Sequence, residues 1–465
     1  MGFTREVTRM NHFKPPYPAR PKKQFNPIKA LFYAHKNLLS IWPEFAFKKD
    51  FMHFKVLKQN IFIANSPETV RKVMIENGMN YLDKTTQQVK ALEPLLGNGL
   101  FVSTGATWRK HRRLLSGSFD DKHIKMYSKV MISAIKDLEI KWDKLESGTK
   151  VSMQPEMAQL GADIIARALF GEKLGSESAA KVVAAFADYQ TVVRQMDIPK
   201  LIGMRWFPNL NGKFGIGKNS AQVIHAVVDE IMEKATYKEN KETLVAQFIR
   251  ASETLDENES MTRLEIRNEI IVLFMAGHET TANVLSWVWY LLSQAPEVEK
   301  KLHQELAREL GGKTPTYEDI EKLPYTRAIL DETMRLYPPV PVLARQASED
   351  DTINGQHIPA QSNMLIVPWL LQRHKKYWDK PDYFIPERFM PEAKRPVKFT
   401  YIPFSAGPRV CPGKTFGIKE SVLVFAILAQ RFRVETTDGY AGGMDCRLTL
   451  RPSDNLPMKL IKRFS

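Results

Sequence analysis

The stretch FSAGPRVCPGKT, Phe404 to Thr415, could do two kinds of chemistry. Its glycines and Gly-Lys-Thr ending resemble a loop that cradles phosphate, whereas the cysteine in its middle could present sulfur to a metal. A phosphate loop requires GxxxxGK[ST], because that spacing turns successive backbone N–H groups into one concavity. Here Gly407 and Gly413 enclose five residues, one too many. The preceding KFTYIPF carries Pro403 and makes a poor buried strand. The sulfur reading accounts for more residues. Gly407 allows a tight turn, and Pro412 and Gly413 open the helical run FGIKESVLVFAILAQRF, so Cys411 lies at a positive helix end whose N–H groups stabilise a thiolate. One cysteine cannot build a tetrahedral zinc site or a cluster, but a single thiolate suffices as the axial ligand of haem.

Other constellations carry chemistry in reserve. In WRKHRR, Trp108 and Arg112 lie one helical turn apart and share a face on which a desolvated carboxylate could be paired. In DETMRLYPP, Glu332 and Arg335 stand at i and i+3 of a helix. The long apolar run that starts at Asn268 is interrupted by AGHETTAN, with His278, Glu279, Thr280, Thr281 and Asn283 mid-segment. Such a helix is better buried in protein than laid across a bilayer, and its polar groups need partners, since each left unpaired costs ~1–3 kcal/mol. AGHETT is therefore expected to line a cavity.

FSAGPRVCPG matches every fixed position of the haem-binding loop FxxGxRxCxG of the cytochromes P-450, and the chain resembles that family of haem-thiolate monooxygenases from about Ser66 to the C-terminus. The resemblance implies haem b with Cys411 as axial thiolate, set in a loop with Phe404 and Gly413, and with Trp108, Arg112, Arg345 and Arg409 on the propionates. Glu332 and Arg335 resemble the family's ExxR, and PERF supplies Arg388 to the same structural cluster. AGHETT resembles [AG]Gx[DE]T[TS], the oxygen-activation motif, with Ala276, Gly277, Glu279 and Thr280 in the defining places. Thr280 and Glu279 are the implied catalytic pair, a hydroxyl backed by a carboxylate that relays protons. Ala276, Gly277, Phe274, Val340, Val342 and Leu343 are the implied substrate-facing residues. Ala276 also occupies the place where fatty-acid ω-hydroxylases similar in GHETT and WRKHRR can carry a glutamate bonded to haem, so noncovalent haem is expected.

These residues need a scaffold. The expected fold is mainly α with small β-sheets (α+β), with haem between the long central helix and the helix that follows the cysteine loop. Residues 1–27, rich in proline and basic residues, read as an extended arm that need not pack as a regular element, and 28–465 as one domain. Strand-like runs occur in HFKVLKQNIFIA, around Asn354-Gly355, and in RLTLRPSDNLPMKLIKR, which reads as a hairpin. Ser66-Pro67-Glu68 has the form of a helix start. Helical periodicity dominates from about Ser118 to Gln304, with a polar loop at LDENES.

The chain has 465 residues, 43% hydrophobic and 26% charged, a balance that excludes disorder. Its 67 Lys+Arg against 52 Asp+Glu give +15, which favours an anionic partner. An acidic redox protein is expected near Lys110, Arg113 and Lys414, and contact of the arm with anionic lipid is compatible with the same charge; nucleic acid is not expected. Two cysteines argue for a reducing compartment, and no apolar signal opens the chain, so a cytoplasmic monomer is expected. No flavin, nicotinamide or iron–sulfur motif occurs. Electrons must therefore come from NAD(P)H through a separate reductase with a ferredoxin or flavodoxin, and the substrate is expected to be lipophilic, of fatty-acid, terpenoid or carotenoid type. A haem sensor without turnover is the alternative.

Overall fold

The computed structural model describes residues 12–463 apart from 57–58, 172–180, 187, 190–213, 235–242, 254–259, 441 and 447. All of the LDENES segment except Ser260 lies outside the described residues. The helices used below are α1 (Pro27–Lys36), α2 (Gly105–Ser116), α3 (Asp121–Asp143), α4 (Met153–Phe170), α5 (Arg263–Gln294), α6 (Pro324–Leu336) and α7 (Lys414–Arg431).

Helix α5 organises the rest. Its start is set by a capping box: the Thr262 hydroxyl accepts from the Glu265 N–H at 3.2 Å while the Glu265 carboxylate accepts from the Thr262 N–H at 2.8 Å. Most of the helix is enclosed, and Ile270, Leu285, Trp287, Val288 and Leu291 have no exposed surface to speak of. Helix α4 crosses it at contact distance because both helices carry a glycine there. A Cβ on Gly161 would lie 2.9 Å from the His278 carbonyl oxygen, and one on Gly277 would lie 3.1 Å from Ile165. Helices α3 and α6 cover α7, which also touches α5. Among the described residues no helix is long and apolar enough to cross a membrane.

Four small sheets frame this bundle. Strands β1 (Phe51–Val56) and β2 (Gln59–Ala64) fall where HFKVLKQNIFIA reads as strand-like, and they pair as an antiparallel hairpin. Strand β3 (Lys150–Ser152) lies far from them in another sheet. The first sheet is completed by β4 (Leu343–Gln346) and β7 (Asn363–Ile366): β7 runs parallel to β2 and antiparallel to β4, with Arg345 opposite Met364. Strands β5 (Asp351–Ile353) and β6 (Gln356–Ile358) turn at Asn354-Gly355. The C-terminal region departs from the expected hairpin. Strand β10 (Leu450–Pro452) pairs with β9 (Met444–Cys446), while β11 (Pro457–Lys462) pairs with β3 and with β8 (Phe432–Thr436). Alternating apolar residues mark β11 as a strand but carry no information about its partner.

The described part of the arm, residues 12–26, holds no helix or strand and is nevertheless anchored to the body. Pro15 is buried, the Phe384 N–H donates to the Phe13 carbonyl at 2.9 Å, and the Tyr337 hydroxyl donates to the Pro16 carbonyl at 2.8 Å. Arg20 stacks on Phe47 at 3.8 Å and pairs with Asp382 and Glu44. Prolines cost little entropy to order, so a polyproline-like segment can be pinned by a few such contacts.

Helix α6, which carries the ExxR residues, begins at Pro324 and has no cap from its own N-cap residue, Leu323. Glu305, from the preceding helix Pro296–Leu310, supplies one instead, accepting the Tyr325 and Thr326 N–H groups and the Thr326 hydroxyl at 2.7 Å each. Glu305 is 3% exposed. Truncation by Glu305→Ala strands these donors away from water and is expected to lower unfolding stability by roughly 2–4 kcal/mol, measured by urea titration.

Candidate active site

The cysteine loop is held at one point by a backbone contact that admits only glycine. Gly407 has φ +69°, and a Cβ there would lie 1.8 Å from the Met74 carbonyl oxygen. The loop closes with the Cys411 N–H donating to the Phe404 carbonyl at 2.9 Å, and α7 starts at Lys414 with Gly413 as N-cap. Burial pushes the Cys411 thiol up, and the Gly413 N–H, Arg112 and Lys414 pull it down. The thiol is surrounded by protein yet has accessible surface, so it borders an internal space. The other cysteine, Cys446, is buried and pushed up to about 12, too inert to act as a thiolate.

Behind the loop lies an ion cluster sealed from water. Arg335 grips Glu332 in a bidentate pair, Nε to Oε2 at 2.6 Å and Nη2 to Oε1 at 2.7 Å, with both side chains 0% exposed. Arg388 approaches Glu332 Oε1 at 3.4 Å, and the Ile385 N–H donates to the same oxygen at 2.9 Å. Arg335 spends its remaining donors on the carbonyls of Gln372, Pro381 and Tyr383. Gln372 carries the cluster's position to the loop: its amide donates to the Met334 and Arg335 carbonyls and its Oε1 accepts the Ile402 N–H at 3.0 Å. A second strut runs from the Tyr401 hydroxyl to Asp331 at 2.8 Å.

Four cations gather, with Asp83 near Arg409 but in no ion pair with it. Arg409 stacks on Trp108 at 4.7 Å and donates to the carbonyls of Leu82, Leu100 and Ser103. Arg112 braces the Val410 carbonyl at 2.8 Å, next to Cys411. Arg345, 4% exposed, donates to the Ala344 carbonyl, and Lys84 lies over the Phe101 ring at 4.3 Å. None of the four forms an ion pair among the described residues. Burial presses Arg345 down to about 10; burial, with Arg345 close by, presses Arg409 down to about 9; and burial, with Arg345 and Arg409 close by, presses Lys84 well below its usual value. A buried set of like charges is costly unless anions join it. Its chemistry fits a group bearing two carboxylates beside the Cys411 sulfur, which is what haem offers.

On the other side, consecutive residues of α5 fan out to different elements. Glu279 Oε1 accepts from the Thr449 hydroxyl, in the turn before β10, at 2.7 Å. Thr280 donates to the Ala276 carbonyl at 2.7 Å. Thr281 donates to Glu420 on α7 at 3.2 Å, and burial pushes that carboxyl up to about 8, so it is mostly protonated at neutral pH. Ala276 and Thr280 have accessible surface in the middle of an otherwise enclosed helix and so border a space. Val340, Val342 and Leu343 are likewise half-buried. Phe274 is 3% exposed and packed against the His278 ring at 5.4 Å, so it lies behind the open lining rather than in it. Gly277 keeps accessible surface, and a Cβ on it would meet Ile165 on α4.

The family model for cytochrome P450 matches residues 22–453. The chain belongs to the cytochrome P450 family. It is 30% identical over 407 residues to human cytochrome P450 4V2, covering 82% of this chain and 77% of that one. It is 29% identical over 399 residues to cyclooctatin synthase of Streptomyces melanosporofaciens, covering 84% of each. The crystal structure of the cytochrome P450DA haem domain superposes with a TM-score of 0.80 at 23% identity, over 97% of this chain and 98% of that one, and so shares the fold.

Three parts of this P450's site have no motif of their own. Lys84 joins the cations from a loop, Gln372 links α6 to the cysteine loop, and His111, 0% exposed, sits between Glu269 Oε1 at 2.6 Å and Glu265 Oε1 at 3.2 Å, tying α2 to α5. Lys110 pairs with the same Glu265 at 3.0 Å instead of joining a basic face near Cys411. An aromatic partner for Lys84 and a carboxylate pair spaced by one turn, Glu265 and Glu269, are the only sequence hints. Within the ion cluster, Glu332→Gln keeps the shape but removes the carboxylate that pairs with the buried Arg335 and approaches the half-buried Arg388. It is expected to destabilise the fold by roughly 3–5 kcal/mol, with haem content falling in parallel, measured by thermal melting and by pyridine haemochrome assay.

Proposed function

We propose that this monooxygenase hydroxylates or epoxidises a lipophilic small molecule, of fatty-acid, terpenoid or carotenoid type, with electrons delivered by a ferredoxin or flavodoxin and its NAD(P)H-dependent reductase. The observation that carries the reading is the opening in α5, where the Thr280 hydroxyl and the Ala276 methyl face a space while Glu279 stands one residue away. Apolar Val340, Val342 and Leu343 support a lipophilic occupant. That one similar protein is named for synthesising cyclooctatin supports turnover on a small molecule rather than sensing.

Haem, held by the Cys411 thiolate and by Lys84, Arg112, Arg345 and Arg409, supplies dioxygen activation when bound. Ala276 carries no carboxylate, which supports haem held noncovalently. The protein's own part is to orient substrate, exclude bulk water and deliver protons. The Thr280 proton is engaged by the Ala276 carbonyl, leaving its lone pairs to accept a hydrogen bond and hold a proton-bearing water in line. Glu279, kept in place by Thr449, is the acid that replenishes that proton. The positive charge of the chain favours an acidic redox partner, and a monomer that meets it transiently suits the exposed Lys414 beside the cysteine loop.

Two variants test the assignment. Cys411→Ser is expected to abolish the red-shifted Soret band of the ferrous carbonyl complex even where haem is retained; a normal band would sink the ligand assignment. Thr280→Ala should bind substrate and accept electrons as before, yet yield several-fold less product per reductant and release hydrogen peroxide instead. Full yield with no extra peroxide would reduce AGHETT to helix packing. Glu279→Gln should slow the whole cycle, because an amide cannot release a proton.

A further inference from the structure

Glu279, Asn283 and Trp287 recur every four residues along one side of α5. The first is bonded to Thr449. The second is unusual: Asn283 is 0% exposed, and neither its Oδ1 nor its Nδ2 has a hydrogen-bond partner. Trp287, also 0% exposed, has an unpartnered Nε1. An amide buried with all its hydrogen-bonding capacity unused is strongly disfavoured, and native proteins relieve this with ordered water that makes two to four bonds. The stripe leads outward: Trp287 lies 5.9 Å edge-on to Tyr290, and Tyr290 lies 6.2 Å from Tyr440, a part-buried residue whose hydroxyl donates to the Ser453 carbonyl.

We propose that Asn283 holds a buried water file that recharges Glu279 with protons along this side of α5, with Thr449 fixing the receiving carboxylate. The inference rests on the reading of Glu279 as the proton-delivering acid. Each proton that Glu279 passes toward Thr280 is replaced by one from the adjoining water, which takes another from its outer neighbour, so no charge is left in the interior. Asn283 touches no reacting atom in this scheme and is a positioning residue. The amide suits the task because it both donates and accepts, holding a water in either orientation.

The test compares Asn283→Leu, which keeps the branched outline but has no polar atom, with Asn283→Ser, which is smaller and leaves room for water. The scheme predicts that in the reconstituted holoenzyme Leu raises the solvent deuterium isotope effect on turnover at least about twofold and lowers product per reductant, whereas Ser keeps both close to the parent values. A packing role predicts the reverse order, since Ser empties the core and Leu fills it. Unchanged isotope effect and yield in Asn283→Leu would overturn the proposal. So would a high-resolution crystal structure of the parent holoenzyme with no ordered water bonded to the Asn283 amide, a measurement that stands even where the Leu variant does not fold. Glu279→Gln separates the two levels of the argument. If it leaves turnover unaltered, the proton-donor reading has failed; if it slows turnover while Asn283→Leu does nothing, only the water file has failed.

Discussion

A bidentate ion pair shut away from solvent, Glu332 with Arg335, is the contact on which the site's geometry depends. Buried charge is tolerated when its lone pairs and protons are engaged, and this pair is served by three carbonyls and a backbone N–H, with the Arg388 guanidinium 3.4 Å away. The demand for pairing turns the cluster into a ruler. Three chain segments, around Gln372, Lys380–Ile385 and Arg388, have to pass at fixed distances, and Gln372 then carries that register into Ile402, nine residues before Cys411. The thiolate is thus positioned by a network that never touches it.

Helix α5 solves a different problem. A hydroxyl and a carboxylate must stand inside a largely apolar helix without bonding to each other. Successive side chains point about 100° apart around a helix axis, so Glu279, Thr280 and Thr281 can be sent to the C-terminal turn before β10, to the open space, and to Glu420 on α7. Each polar group has its own receiver. The close crossing of α4 at Gly161 and Gly277 pins the helix beside this fan, which limits how far the polar residues can drift.

Much of this was legible beforehand. Cys411, the Glu332–Arg335 spacing, the β1 and β2 strands and the central helix are local patterns, and local patterns survive in a sequence. Long-range partners do not. Nothing near Thr449 announces Glu279, nothing near Lys84 announces Arg345 and Arg409, and β11 looks like the second half of a hairpin although it pairs with β3 and β8. The motif marks Gly277 for the oxygen site but does not announce Ile165, which would meet a Cβ there at 3.1 Å. The arm's lack of regular structure is legible in its proline-rich composition, which encodes conformation but says nothing of the Tyr337 hydroxyl that meets the Pro16 carbonyl.

The pairing of β11 with β3 joins Pro457–Lys462 to Lys150–Ser152, across about two thirds of the chain. A ribosome makes the chain from its N-terminus, so Lys150–Ser152 exists roughly 300 residues before the strand it pairs with, and α5 is made before Cys411 and Thr449. Contacts between such distant residues form slowly. Until β11 arrives, the edge of β3 and the apolar faces of α4 and α5 lack their final cover, which is the state that chaperones and proteases recognise.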